Sequence, residues 1–138
     1  LEKSFGSWML EYTPDYTPYE AGLGYFVDLE KGEFIGREAA LATRNTTLAR
    51  QRCTLVVDID ETDPIADEAV YHQDKVVGFV TSGGYGHVVQ KSIALALLPT
   101  ELIVEGAAFE VEILGVRRPA KLITKPLYDP AGAKMRVR

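Results

Sequence analysis

The residues able to do chemistry are few, and their spacing excludes most familiar sites. His72 and His87 are the only histidines. Neither has a partner at metal-ligand spacing. A Ser82–His87 nucleophile pair lacks a sequence-evident orienting acid or oxyanion-hole motif, so both histidines read as surface or turn residues. The acidic run Asp58, Asp60, Glu61, Asp63, Asp67 and Glu68 raises calcium, because hard cations take several carboxylate oxygens. An EF-type loop counted from Asp58 needs Gly and Glu where Asp63 and Ala69 stand, so a solvated loop is expected. Ser82-Gly83-Gly84-Tyr85-Gly86 lacks the Gly-Lys-Ser/Thr of a phosphate loop. As a dinucleotide fingerprint from Gly84 it fails at Val89, and a turn with positive-φ glycines is expected. Cys53 is the one cysteine, which excludes an internal disulfide and a cysteine zinc cage. It opens an apolar stretch, where a buried thiol is inert.

Aromatic residues offer more. Tyr12, Tyr16, Tyr19 and Tyr25 lie among loop residues with Glu20 between them. Aromatic faces can stack on a flat heterocycle, and a carboxylate can accept hydrogen bonds from its ring nitrogens. The competing reading is that these rings pack the loop onto a core and bond through their hydroxyls. Residue physics alone favours packing.

The elements that must position these groups divide near residues 45–53. Before that, Pro14 and Pro18 bracket Asp15-Tyr16-Thr17 and keep their preceding residues out of helix. Gly22 and Gly24 punctuate an apolar stretch, and 36–44 (GREAALATR) forms a short helix with its acid early and an Arg late. The polar stretch 45–52 reads as a connector. After it, strands are expected at Cys53–Ile59, Ala69–His72, Lys75–Thr81, Ser92–Leu98, Phe109–Ile113 and Ala120–Thr124. Gln73-Asp74 can turn the second into the third, and 115–118 forms a turn before the last. Six short strands suggest a small antiparallel barrel or sandwich. The longer 60–68 and 99–108 loops favour a Greek-key crossing.

At 138 residues the chain has the length of one domain. It is 46% hydrophobic and 25% charged, an ordinary globular balance. No apolar run approaches the ~20 residues of a membrane span. Leu1-Glu2-Lys3-Ser4 has no Met or signal core, as in a piece cut from something longer. The net charge of −5 argues against duplex nucleic acid, and Arg117, Arg118 and Lys121 make a thin basic face for single strands.

The order of segments adds a resemblance. Leu1-Glu2-Lys3 is followed by Tyr16-Thr17-Pro18-Tyr19-Glu20-Ala21-Gly22-Leu23 and by residues 28–39 (DLEKGEFIGREA). Residues 77–83 (VGFVTSG), 91–96 (KSIALA) and 119–127 (PAKLITKPL) come later. This ordered set resembles the folate-binding aminomethyltransferase family. That family includes the T-protein of the glycine cleavage system and the C-terminal halves of dimethylglycine and sarcosine dehydrogenases. The Tyr-Thr-Pro-Tyr-Glu-Ala-Gly-Leu and Arg-Arg-Pro-Ala wording looks more like the dehydrogenase branch.

The resemblance implies a mainly β fold, a six-stranded Greek-key antiparallel β-barrel preceded by a loop-rich segment with one short helix. It implies that residues 1–52 end a folate-binding domain and its connector, and that 53–138 form the C-terminal barrel. The implied chemistry is transfer of a one-carbon unit onto tetrahydrofolate, with FAD only in a separate upstream domain of the dehydrogenase branch. The family's catalytic Asp lies upstream of Leu1, so this chain is not expected to catalyse alone. The implied partners are the upstream folate-binding domain and, in the dehydrogenase branch, a flavin domain, with no nucleic acid and no membrane. The implied location is bacterial cytoplasm or mitochondrial matrix. Among site residues, Tyr25 takes the position of an aromatic lining the folate pocket. Tyr128 lies near the tail that closes over folate, and Glu20 is a polar loop position beside the pocket. No metal site is implied. The alternative is a non-catalytic barrel that packs against a partner domain, which a large exposed apolar patch on residues 1–44 would favour.

Overall fold

The structure is a computed structural model that describes residues 1–59 and 61–136. Among these residues, six strands close into an antiparallel barrel in the order β1-β4-β3-β2-β5-β6. They are β1 (Arg50–Val57), β2 (Ala69–His72), β3 (Lys75–Gly86), β4 (Lys91–Pro99), β5 (Ala108–Ile113) and β6 (Val116–Ile123). Strands β2, β3 and β4 are joined by tight turns, while β1 returns to lie beside β4. That is the expected Greek key. Closure leaves no free strand edge. Before the barrel lies a turn-rich segment with one helix, α1 (Arg37–Arg44).

Inward side chains fill the barrel: Leu55 and Val57, Val70, Val80, the alternating Phe109, Val111 and Ile113, then Ala120 and Leu122. Strand β4 is buried on both faces. Ala94, Ala96 and Leu98 belong to the interior cluster, while Ile93, Leu95 and Leu97 are buried as well. The register explains this. Thr54 pairs with Leu95 and Arg52 with Leu97, and those two β1 side chains hold Ser4 and Ala21 across the outside of the sheet. A strand covered on both faces reads as a continuous apolar run, as 93–98 (IALALL) does.

Three local expectations are corrected. Strand β1 starts at Arg50, inside the polar connector, because Arg50–Arg52 pair with Pro99–Leu97. Strand β6 starts at Val116 rather than Ala120. Leu114 and Gly115 both adopt positive φ and close a two-residue turn that pairs Ile113 with Val116 at once. Pro119 is tolerated there because its carbonyl faces β1, accepting the Asp58 N–H beyond the last β1–β6 pair. Finally, Ser82–Gly86 is not a turn but the second half of β3, paired with β4 from Leu95 to Lys91. A Cβ at Gly83 would overlap the Pro64 carbonyl, and one at Gly86 would press on Glu2. These glycines let other segments lie directly on the strand.

Candidate functional site

The segment before β1 carries most of the groups singled out above, and a few polar anchors fix it to the barrel. The Arg52 guanidinium donates to the Ala21 carbonyl at 2.9 Å and to the Ser4 carbonyl at 2.7 Å, so one side chain gathers two loops. Gly22, at φ +73, has no Cβ to meet that guanidinium. The Thr54 hydroxyl donates to Ser4 Oγ at 2.9 Å.

Glu20 serves the turn that leads into this contact. Its Oε2 accepts the Thr17 N–H and hydroxyl, each at 2.9 Å, and its Oε1 pairs with Arg50 Nε at 3.3 Å. The Thr17 amide outweighs partial burial and, with the Thr17 hydroxyl and Arg50, holds the carboxyl below its ordinary range. This carboxylate is engaged within the chain rather than displayed. Glu11 is only 2% exposed. Burial pushes its carboxyl up, yet the Ser7 amide at 2.7 Å and the Ser82 and Thr81 hydroxyls beside it bring it below its ordinary range.

The tyrosines divide by what their rings touch. Tyr12 accepts the Gly6 N–H on its hydroxyl, Tyr16 lies under the Arg50 guanidinium, and Tyr19 packs against Gly24. Tyr25 differs. It is 81% exposed and packs at a 35° tilt against Phe26, with ring centroids 3.9 Å apart. A large, preset aromatic face is thereby offered outward beside Glu20's turn. Tyr128 stands apart, on the tail. Its N–H donates to the Glu2 carbonyl, and the ammoniums of Lys134 and Lys3 lie 4.4 and 5.6 Å from its ring centre. The adjacent Asp129 pairs with Lys3 at 2.7 Å. Thus Tyr25 and Glu20 share one segment, while Tyr128 fastens the tail to the chain's first residues.

The remaining groups are structural. Cys53 is buried and its thiol is pushed up to about 12, so it stays protonated and unreactive at neutral pH. His72 Nδ1 lies 3.0 Å from the Ala108 carbonyl, and His87 packs edge-on against Tyr85. Within the acidic run, Asp63 accepts the Ser92 hydroxyl and Glu68 the Ile65 N–H, while Asp60 lies outside the described residues. A groove of about 810 Å³ opens at the barrel end between Asp58, Glu61, Lys91 and Lys121. Neither Tyr25, Tyr128 nor Glu20 lines it. No helix of the described residues is long and apolar enough to cross a membrane.

Against known proteins, residues 50–129 match the profile of the glycine cleavage T-protein C-terminal barrel domain. The chain belongs to that family. Dimethylglycine dehydrogenase of mouse mitochondria is 42% identical over 138 residues, covering 98% of this chain and 16% of the dehydrogenase. The aminomethyltransferase of Moorella thermoacetica is 39% identical over 128 residues, covering 93% of this chain and 35% of the relative. The crystal structure of the glycine cleavage system aminomethyltransferase T from Bartonella henselae superposes with a TM-score of 0.83 at 26% identity, covering 94% of this chain and 37% of that one. The chain therefore spans about a sixth to a third of the relatives it matches. The likeness also runs beyond the barrel into the turn-rich segment.

Two features of this T-protein-like chain escape a reading of residues alone. Arg52 looks like part of a polar connector, and only its alternation with Thr54 along an extended strand signals that both face the same neighbour. Glu11 is the deepest acid among the described residues, but nothing around Leu10-Glu11-Tyr12 marks it as buried.

Proposed function

We propose that this chain is the C-terminal portion of a tetrahydrofolate-dependent one-carbon transferase of the dimethylglycine or sarcosine dehydrogenase type, supplying one wall of a folate site. The observation that carries the reading is Tyr25: an exposed aromatic face, backed by Phe26, on a segment held to the barrel by Arg52 and Glu20. Such a face fits the flat ring system of folate, which stacks well on aromatics. When bound, tetrahydrofolate supplies the amine nitrogens that accept the one-carbon unit.

The chain's own part is positional. Phe26 limits the orientations of Tyr25 before any ligand arrives, which lowers the ordering cost of binding. Glu20 and Arg52 fix where that ring stands relative to the barrel. Tyr128 acts at one remove, by tying the tail over Glu2 and Lys3. The catalytic acid belongs to the upstream polypeptide, as does the FAD domain in the dehydrogenase branch, and the chain by itself has no activity. In eukaryotes such a protein would work in the mitochondrial matrix, in keeping with the mitochondrial dehydrogenase relatives of mouse and human, and in bacteria in the cytoplasm.

Calorimetric titration of tetrahydrofolate into the full-length protein tests this. Tyr25→Ala is expected to weaken affinity by about 3- to 10-fold, the value of one good aromatic stack. Unchanged affinity removes Tyr25 from the site, and absence of binding by the full-length protein sinks the folate reading. The second reading, a barrel that packs against a partner domain, draws on exposed Phe5, Trp8, Met9, Phe26 and Ile35. Both readings can hold together.

A further inference from the structure

We propose that the turn at residues 5–12 is a docking surface for the polypeptide that precedes this chain in the full-length protein, with Trp8 and Met9 as its anchors. The proposal rests on the reading of this chain as the last part of a longer enzyme. It adds which surface makes the joint.

Trp8 is 83% and Met9 86% exposed, with Phe5 and Leu10 exposed beside them. Four large apolar residues at one tip are unusual on a free surface. Trp and Met are enriched in interface cores, and Trp is a leading hot-spot residue. The tip is also rigid. The N–H groups of Glu11 and Tyr12 both donate to the Ser7 carbonyl, at 3.2 and 3.0 Å. The Glu11 carboxylate accepts the Ser7 N–H in return, and the Tyr12 hydroxyl accepts that of Gly6 at 2.9 Å. Trp8 packs edge-on against Tyr12 at 6.0 Å. The Glu11 side chain itself is buried, only 2% exposed, so the turn that carries Trp8 is seated on the chain by its own carboxylate residue. A buried carboxylate spent on holding a tryptophan in water makes sense where the tryptophan meets a partner, because preorganisation lowers the cost of association.

The occupant follows from length and position. The matched profile is that of a C-terminal domain, and the chain covers 16% of one relative and 35% of another, so most of each relative lies outside the matching region. Leu1 packs over Gly84, and Glu2 accepts the N–H groups of Val88 and Val89 at the end of β3. Polypeptide joined to Leu1 would therefore meet the chain along β3, beside the segment that carries the turn.

The test is methionine oxidation by dilute peroxide in the full-length protein, read at Met9 by mass spectrometry. Met9 is expected to oxidise roughly tenfold or more slowly in the native protein than in the same protein unfolded in guanidinium. Trp8→Ser should return most of that reactivity while the barrel stays folded. Equal rates in native and unfolded protein overturn the proposal. So does protection that grows with protein concentration, which would make the occupant a second copy. Protection that survives Trp8→Ser removes Trp8 as an anchor. The folate reading fails separately: full-length protein that does not bind tetrahydrofolate yet protects Met9 loses that function and keeps this joint.

Discussion

The barrel and the segment before it are held by different physics. The barrel buries an apolar interior inside a closed ladder, so each strand is stabilised by two neighbours and a shared core. Residues 1–49 have no sheet of their own, and α1 has no buried residue. They stay in place through Arg52, the Glu20–Arg50 pair and the Lys3–Asp129 pair, with Glu11 bracing the 5–12 turn from within, and they leave Trp8, Met9, Tyr25 and Ile35 in water. The barrel too exposes apolar residues, Val88 and Leu114 among them, but the segment gathers Phe5, Trp8, Met9 and Leu10 in one short turn. The contrast marks the barrel as scaffold, and the proposed ligand and docking roles both fall on the segment.

Breaking the barrel should have the largest effect. Leu122 is fully buried in β6, between the β1 and β5 ladders. Leu122→Ala is expected to cost about 2–5 kcal/mol, read as a lower denaturant midpoint for the whole chain. Arg52→Ala should separate the two regions instead. Its loss removes the charge-assisted bonds to Ser4 and Ala21, worth about 1.5–3 kcal/mol, so amide exchange across residues 4–22 should quicken roughly 10- to 100-fold. Exchange in β5 and β6 should hardly change. If the barrel amides quicken equally, the two regions unfold as one and the division is wrong.

The same contrast explains what was legible in the sequence. Strand β5 shows its alternation because Phe109, Val111 and Ile113 face the core while Glu110 and Glu112 meet solvent and Tyr71. Gln73 and Asp74 are a local turn signal, and both adopt the positive φ a two-residue hairpin requires. Local signals fail where distant segments decide. Ser82–Gly86 has the composition of a turn but is strand, because Leu1, Glu2 and Pro64 lie against its glycines. The tyrosines show the same limit at the site. Four rings share one loop, yet Tyr12, Tyr16 and Tyr19 are used in packing and only Tyr25 keeps its face open. Residue types alone leave the four undistinguished, and only the family resemblance singles out Tyr25, because what separates them is set by Gly6, Arg50 and Gly24 in three dimensions.

The smallest expected effect sharpens the comparison through acid. Glu11 and Glu20 both sit below the ordinary carboxyl value of 4.5 in the folded chain, through hydrogen bonds to Ser7 and Thr17 that favour the ionised form. A carboxyl whose folded pKa is depressed stabilises the fold above its unfolded pKa, and that contribution disappears as pH falls through the folded value. The segment should therefore be fully attached at neutral pH and loosen as pH drops below about 4.5. The core offers no matching group, since the Cys53 thiol stays protonated throughout. Amide exchange followed downward from neutral pH, corrected for its intrinsic pH dependence, should show residues 5–20 opening severalfold more often while β1 and β4 hold. Glu11→Gln keeps an oxygen for the Ser7 amide but cannot ionise. It should flatten the response around residues 5–12 and leave that around Thr17 and Glu20. A response unchanged in Glu11→Gln would mean that Glu20, or the part-buried Lys3–Asp129 pair, controls the attachment, and that Glu11 only fills space beneath Gly6.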